Sequence, residues 1–323
     1  MAKTMKALQI LAPGEVRIVS VPVPQAGERE VLVKVRAVTV CTHWDLTLLA
    51  GTDIFGRPGY PKYPIHVGYP GHEMAGDVVA VGRAASSFRT GDRVAVWTSR
   101  ATGVQGYYAE YAAVPEECLL RIPDHLSYPE AAPLELAMSV ACSVRQMGDV
   151  AGKRVALGGA GAAGLIALQM IRVLGARQIT VFDPVETRRA LAVDLGADRA
   201  LDPDSPESRA LPATTAELAV ECAGSAASAE NLMRVTTGTV HLFGVVHGEI
   251  RYNVDHWGRG VTVAGYPGHS RESGEFAFAM MRSGALRTAP LVGKTVTFGS
   301  YLEGIEALKA AVVAKVCVVP DPE

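Results

Sequence analysis

Three glycines, Gly159, Gly161 and Gly164, are spaced as G-x-G-x-x-G between the apolar run Val155-Ala156-Leu157 and a helix-like stretch, Leu165 to Leu174. Each position suits a pyrophosphate. The first glycine permits a tight turn and the second lets the backbone approach the phosphates. The third lets the helix pack close to the strand, with its positive N-terminus facing the anion. The next β-branched run, Ile179-Thr180-Val181-Phe182, ends on Asp183, about 20 residues past the glycines. A strand before, a helix after and an acid ending the second strand form the context in which such a triplet binds a dinucleotide. Without that ligand the same glycines would simply bring a helix close to a sheet. Asp183 would accept hydrogen bonds from the adenosine ribose and repel a 2′-phosphate, which favours NAD over NADP. An aspartate at a strand end can also cap the turn that follows.

A second group with chemical potential is Cys41-Thr42-His43-Trp44-Asp45, and a third is Gly71-His72-Glu73. Between them lies Gly56 to Pro70, a loop with prolines at 58, 61, 64 and 70. Loops of that length are usually functional rather than connective. The five cysteines, at 41, 118, 142, 222 and 317, are scattered and odd in number. That excludes a disulfide framework and makes any special cysteine a metal ligand or a nucleophile.

These groups need a scaffold of two kinds. Residues 1 to about 125 read as β-rich, with strand-like runs at Lys6–Ile10, Val16–Val19, Val31–Val38, Met74–Val81, Val94–Trp97 and Tyr107–Val114. Composition shifts near Asp124, and residues 127–150 have helical spacing. Strand and helix then alternate: helix 185–195, strand 218–221, helix 225–235, strands 239–245 and 260–264. This βαβ rhythm predicts a mostly parallel sheet with helices on both faces, an α/β class. Helices at 275–284 and 301–314 and a closing strand, Lys315–Val319, complete the chain. A length of 323 residues suggests two domains. The net charge of −2, with 49% hydrophobic and 20% charged residues, gives no reason to expect nucleic acid or an anionic membrane as partner. The longest uncharged run, Val155–Ile171, is short for a membrane span and broken by glycines. The N-terminus leads directly into a strand, so the expected location is cytoplasmic.

Taken together, Cys41, the run from Gly71-His72-Glu73 to Val81-Gly82, Gly91-Asp92-Arg93-Val94, Ile122-Pro123, Ala131-Ala132 and the glycine triplet resemble the medium-chain dehydrogenase/reductase superfamily. The likeness is to its zinc-dependent alcohol and polyol dehydrogenase branch and covers essentially the whole length. It implies a GroES-like β-rich catalytic domain, 1–126 with 264–323, and a Rossmann NAD-binding domain, 127–263, with a doubly wound parallel sheet. Cofactor contacts are expected from Gly159, Ala160, Gly161, Ala162, Ala163, Gly164, Asp183, Arg188, Gly244 and Val245.

The resemblance also implies one catalytic zinc, held by three protein ligands with a position left for substrate or water. Cys41 and His72 occupy ligand positions, and Glu135 aligns with the glutamate ligand of polyol and threonine dehydrogenases. Glu73 is in this family either a supporting acid or a fourth ligand that gives way to substrate, so the third ligand stays open between Glu135 and Glu73. Two departures stand out. The segment from Trp97 to Gly106 contains no cysteine, so the four-cysteine lobe for a structural zinc is missing and one zinc per chain is the maximum. The positions that usually carry a proton-relaying Ser or Thr and then an Asp are here His43 and Trp44. His43 either relays the proton, its pKa lying near working pH, or shapes the pocket. Thr42 and Asp45 serve instead if the loop register is shifted by one, and the missing acid at 44 leaves the support of His72 open.

The implied activity is transfer of a hydride from a secondary alcohol (a polyol, sugar or cyclitol) to NAD, with His43 and Glu73 as candidate catalytic side chains. Trp44, Phe55, Tyr60 and Tyr266 are candidate walls for this small-molecule substrate. A homodimer or homotetramer is expected through the sheet edge near 239–245 and 260–264. The rivals are a zinc-free NADPH-dependent enoyl or quinone reductase of the same fold, which needs no Cys–His–Glu set, and a non-catalytic nucleotide-binding protein on this scaffold, as among some lens proteins.

Overall fold

The computed structural model describes residues 3–99 and 106–322. The chain forms two compact units, Met1–Leu136 with Thr288–Glu323, and Ala137–Arg287. The first contains β1 (Thr4–Ala12), β2 (Glu15–Pro22), β3 (Glu30–Thr39), α1 (Thr42–Leu49), β4 (Glu73–Val81), β5 (Arg93–Val96), β6 (Tyr111–Pro115), β7 (Leu119–Arg121) and α2 (Tyr128–Ala131). Helix α3 (Leu134–Gln146) runs through the first junction. The second unit contains β8 (Arg154–Gly158), α4 (Ala162–Val173), β9 (Gln178–Phe182), α5 (Glu186–Asp194), β10 (Arg199–Leu201), α6 (Pro206–Arg209), β11 (Ala216–Glu221), α7 (Ala226–Val235), β12 (Thr236–Leu242), α8 (Val254–Gly258), β13 (Thr262–Ala264) and α9 (Arg271–Ser283). The chain returns to the first unit with β14 (Val292–Thr297), α10 (Tyr301–Lys309) and β15 (Lys315–Val319).

In the first unit a hairpin, β1–β2, accompanies a seven-stranded sheet in the order β14-β15-β3-β4-β5-β7, with β6 also on β3. Strand β3 shows why. Its period-two pattern sends Val31, Val33 and Val35 to one face, where each is at most 1% exposed. Each such burial contributes roughly 1.5–3 kcal/mol, so a charge at Val33 would open the core. The C-terminal strand β15 lies antiparallel to β3, pairing Cys317 with Thr39 and Val318 with Val38. On the other side Thr39 is paired with Glu73 of β4. Residues from three distant stretches thus meet at one end of the sheet.

The second unit is an all-parallel sheet in the order β10-β9-β8-β11-β12-β13. Counted from its first strand this is 3-2-1-4-5-6, the dinucleotide-binding order, with its reversal between β8 and β11. Val155, Ala156 and Leu157 are buried because helices cover both faces.

Local signals moved several element ends. Helix α9 begins at Arg271, earlier than its apolar spacing suggests, because Ser270 caps it by accepting from the Ser273 amide. Helix α10 stops at Lys309, and Ala311 takes a left-handed φ of 56° to turn the chain into β15. Strand β12 ends at Leu242, which leaves Gly244 and Val245 in the following turn. No helix among the described residues is long and apolar enough to cross a membrane.

Candidate functional site

The ligand atoms of Cys41, His72 and Glu73 all lie within 4.8 Å of one another. Cys41 is the N-cap of α1, just past the end of β3, and His72 precedes β4. The His72 ring donates from Nδ1 to the Pro70 carbonyl at 2.7 Å, which leaves the Nε2 lone pair for a metal. Nε2 lies 3.7 Å from Oε2 of Glu135, in the first turn of α3.

Glu73 is engaged differently. Its Oε1 accepts from Lys315 Nζ at 2.6 Å and its Oε2 from Thr39 Oγ1 at 2.5 Å. The Glu73 and Lys315 side chains are 0% and 3% exposed. Glu73 is therefore near enough to ligate, yet both its oxygens already have donors, and Glu135 is the carboxylate beside the second imidazole nitrogen.

The electrostatics indicate what the cluster lacks. Burial by itself would push His72 down, but Cys41, Glu135 and Glu73 around it hold its pKa well above the usual imidazole range. Burial pushes Glu135 up to about 7, with the Glu73 charge adding to it and His72 and Lys315 opposing. Two carboxyls and a thiol surround the imidazole, and in the absence of another cation His72 and Lys315 carry the positive charge. A thiolate, an imidazole nitrogen and a carboxylate oxygen form a donor set suited to zinc. The residues fit the metal that the resemblance implies.

The sequence left the support of this cluster open, with Asp45 among the alternatives. The residue at 44 is a tryptophan, and the buried acid is one position later. Asp45 Oδ1 accepts from both Tyr108 Oη at 2.8 Å and Tyr301 Oη at 2.5 Å, while Oδ2 is buried with no hydrogen-bond partner among the described residues. Burial pushes Asp45 up to about 6, against the two tyrosine hydroxyls and the His72 charge. The buried acid of α1 is thus Asp45, and the hydrogen-bond partner of the His72 ring is the Pro70 carbonyl.

Trp44 instead packs edge-on against Phe55 and Tyr69, with ring centroids 5.7 and 5.8 Å away. Tyr60 joins this cluster through Arg57, whose guanidinium lies 4.1 Å from the Tyr60 ring and pairs with Asp53. Burial raises the Tyr69 pKa, with Tyr60 and then Cys41 adding to the rise. His43 sits half-buried in the first turn of α1, its carbonyl accepting from Thr47 Oγ1. Tyr266 belongs to the second unit, where it packs on Phe243 and His269. Within the cysteine-free segment 97–106, positions 100–105 lie outside the described residues.

In the second unit each glycine of the triplet has its own reason. Gly159 has φ +89°, and a Cβ there would lie 2.9 Å from that of Ala223. A Cβ on Gly164 would lie 1.8 Å from the Gly159 carbonyl oxygen, so α4 packs directly on the turn. Gly161, the N-cap of α4, has nothing within 4 Å of where a Cβ would be. The protein does not require glycine there, but a phosphate approaching the backbone would.

Asp183 is 3% exposed, with Oδ2 accepting from the Ala160 amide at 2.7 Å and Oδ1 from the Val185 amide at 2.8 Å. It both clamps the glycine turn and caps the next one. Arg188 Nε is buried without a hydrogen-bond partner among the described residues. The Gly244 amide donates to the Glu221 carbonyl, and the Glu221 carboxylate accepts from the amides of Ala223 and Gly224, tying together the turns after β11 and β12. Ala162 and Ala163 form the first turn of α4.

Sequence reasoning missed Lys315, Thr39, Tyr108, Tyr301 and Glu221. Lys315 carried one signal: it is a lone charge heading the apolar strand Val316–Val319.

Two family models match the chain, "Alcohol dehydrogenase GroES-like domain" over residues 27–124 and "Zinc-binding dehydrogenase" over residues 162–283. L-threonine 3-dehydrogenase of Pyrococcus furiosus is 28% identical over 335 residues, covering 93% of each chain. Sorbitol dehydrogenase of Mus musculus is 26% identical, covering 98% of this chain and 96% of its own. Among solved structures, a zinc-binding dehydrogenase from Sinorhizobium meliloti bound to NADP superposes with a TM-score of 0.85 at 25% identity, covering 98% of this chain and 100% of its own.

Proposed function

We propose, from the premise that the chain belongs to the zinc-dependent medium-chain dehydrogenase/reductase superfamily, that it oxidises a secondary alcohol of the polyol, sugar or cyclitol type with NAD. The observation that carries this reading is the His72 Nε2 lone pair, freed by the Pro70 carbonyl, facing Glu135 beside Cys41. A zinc-free reductase has no use for that arrangement. When bound, zinc supplies a Lewis acid that lowers the pKa of an alcohol hydroxyl, and the dinucleotide supplies the hydride acceptor.

The chain's own residues do the rest. Cys41, His72 and Glu135 hold the metal, and the Pro70 carbonyl fixes the imidazole tautomer. The turn at Gly159–Gly164 and the N-terminus of α4 take the pyrophosphate, with Asp183 shaping the turn and accepting from the ribose. Arg188, Gly244 and Val245 complete the cofactor contacts. His43 takes the hydroxyl proton towards solvent, and Trp44, Phe55 and Tyr69 offer an aromatic wall to the substrate. The balance is one hydride to NAD and one proton released per alcohol converted to a ketone.

The polyol preference is supported by the glutamate among the ligands and by the sorbitol and threonine dehydrogenase relatives. The NAD preference rests on Asp183, although one structural relative binds NADP. Five free thiols suit a reducing cytoplasm. Zinc-loaded protein screened against polyols, cyclitols and simple secondary alcohols, with NAD or NADP reduction followed by absorbance, tests the reading. Zinc-dependent NAD reduction is expected. Enone or quinone reduction by metal-free protein with NADPH would replace this function with the rival one.

A further inference from the structure

Glu73 follows His72 directly and lies within 4.8 Å of the Cys41 and His72 ligand atoms, so it competes with Glu135 for any metal bound there. What holds it back is Lys315 at 2.6 Å on one oxygen and Thr39 on the other. We propose that Lys315 is a positioning residue of the metal centre: with Thr39, it keeps the Glu73 carboxylate off the metal, so that Cys41, His72 and Glu135 bind the ion and one position stays open. This rests on the zinc reading above and adds the device that keeps the site catalytic rather than closed.

Three observations support it. Both donors stand on strands rather than loops: Thr39 ends β3, directly opposite Glu73 of β4, and Lys315 heads β15, which pairs with β3. Strand pairing thus fixes the backbone position from which each donor reaches Glu73. The hydrogen bond from Lys315 is charge-assisted and sealed from water, since the two side chains are 3% and 0% exposed. The charges also balance. A dication and Lys315 offset the Cys41 thiolate, Glu135 and Glu73. Without the lysine, Glu73 becomes an unpaired buried carboxylate, and the nearest remaining positive charge is the metal. Four protein ligands would then close the site, as in a structural zinc centre. A merely structural ion pair, tying β15 to β4, would affect stability and leave the coordination alone.

The test uses full-length protein loaded with cobalt(II), whose visible bands report its ligands, and follows cobalt release to a chelator. Lys315→Met should change the bands and slow release by roughly tenfold or more. Lys315→Arg should keep the wild-type bands, and Lys315→Met with Glu73→Gln should restore both bands and release rate. If Lys315→Met folds and shows wild-type bands and release, the proposal is wrong while the zinc reading stands. If wild-type protein binds no cobalt or zinc, both fall. If Lys315→Met does not fold, Glu73→Gln decides. Wild-type bands and release support a carboxylate held off the metal, whereas altered bands or faster release make Glu73 a ligand and overturn the proposal.

Discussion

His72 Nε2 and Glu135 Oε2 face each other at 3.7 Å, while the other nitrogen of the same ring is tied to the Pro70 carbonyl. The first residue comes from the turn before β4 and the second from the first turn of α3. The imidazole is thus oriented by backbone rather than by a carboxylate, and Glu135 is the acid beside its free lone pair. That relationship separates the two glutamates: Glu135 stands beside the second ring nitrogen, and Glu73 is held by Lys315 and Thr39.

Removing a ligand should remove the metal. Cys41→Ser, His72→Ala and Glu135→Ala are each expected to weaken zinc binding by roughly 100-fold or more. Glu73→Gln should keep its zinc. Metal analysis of the purified variants decides, and wild-type protein should hold one zinc per chain. Loss of zinc from Glu73→Gln with retention in Glu135→Ala would reverse the assignment.

Asp183→Ala removes the acceptors of two backbone amides and a negative charge beside the glycine turn. Hydrogen bonds to a charged group contribute about 1.5–3 kcal/mol each, so NADH binding should weaken about tenfold or more and the unfolding temperature should fall. The ratio of NADPH to NADH affinity should rise as the repulsive charge goes. Fluorescence titration with both cofactors measures this. An unchanged ratio would leave Asp183 as a clamp of the turn only.

If His43 carries the alcohol proton, His43→Ala should lower turnover by roughly 10²–10⁴-fold and shift the acidic limb of the pH–rate profile. Zinc content should not change. A rise in KM with the pH limb in place would instead show that His43 shapes the pocket.

Asp45 ties stability to pH. Its pKa is about 6 in the folded protein against an ordinary 3.8, so the folded state holds this proton more tightly than the unfolded state. The contribution is therefore full below about pH 4 and is lost as pH rises through 6, by about 3 kcal/mol in total. Asp45→Asn keeps an acceptor for Tyr108 and Tyr301 but removes that loss. Urea unfolding of metal-free wild type and variant should diverge between pH 4 and 7, the variant gaining relative stability. Parallel curves would show that Asp45 stays ionised.

Strand β13 ends the parallel sheet with Thr262 and Val263 exposed. Such an edge invites pairing with a second copy, so light scattering at micromolar concentration should report a dimer or a dimer of dimers. A monomer would sink this expectation.

Short-range features were legible in the residue order. The glycine triplet, its strand and helix and the acid beyond them lie within one βαβ unit, where spacing alone sets who meets whom. The choice of Cys41, His72 and a glutamate could be read from types and motif positions. Which glutamate faces the imidazole, and what restrains the other, could not. Lys315 meets Glu73 across 242 residues, and Tyr301 meets Asp45 across 256. These meetings follow from the register of β15 on β3 and β3 on β4, and from the packing of α1 and α10. A shift of one residue in a strand turns every side chain to the other face. Residue order does not specify such a register between segments so far apart. The same reason applies to Trp44 and Asp45, adjacent in the chain, of which the helix turns one to the aromatic cluster and the other into the core. Residue types limited which chemistry was available to this protein, and long-range strand pairing decided which of those side chains meet.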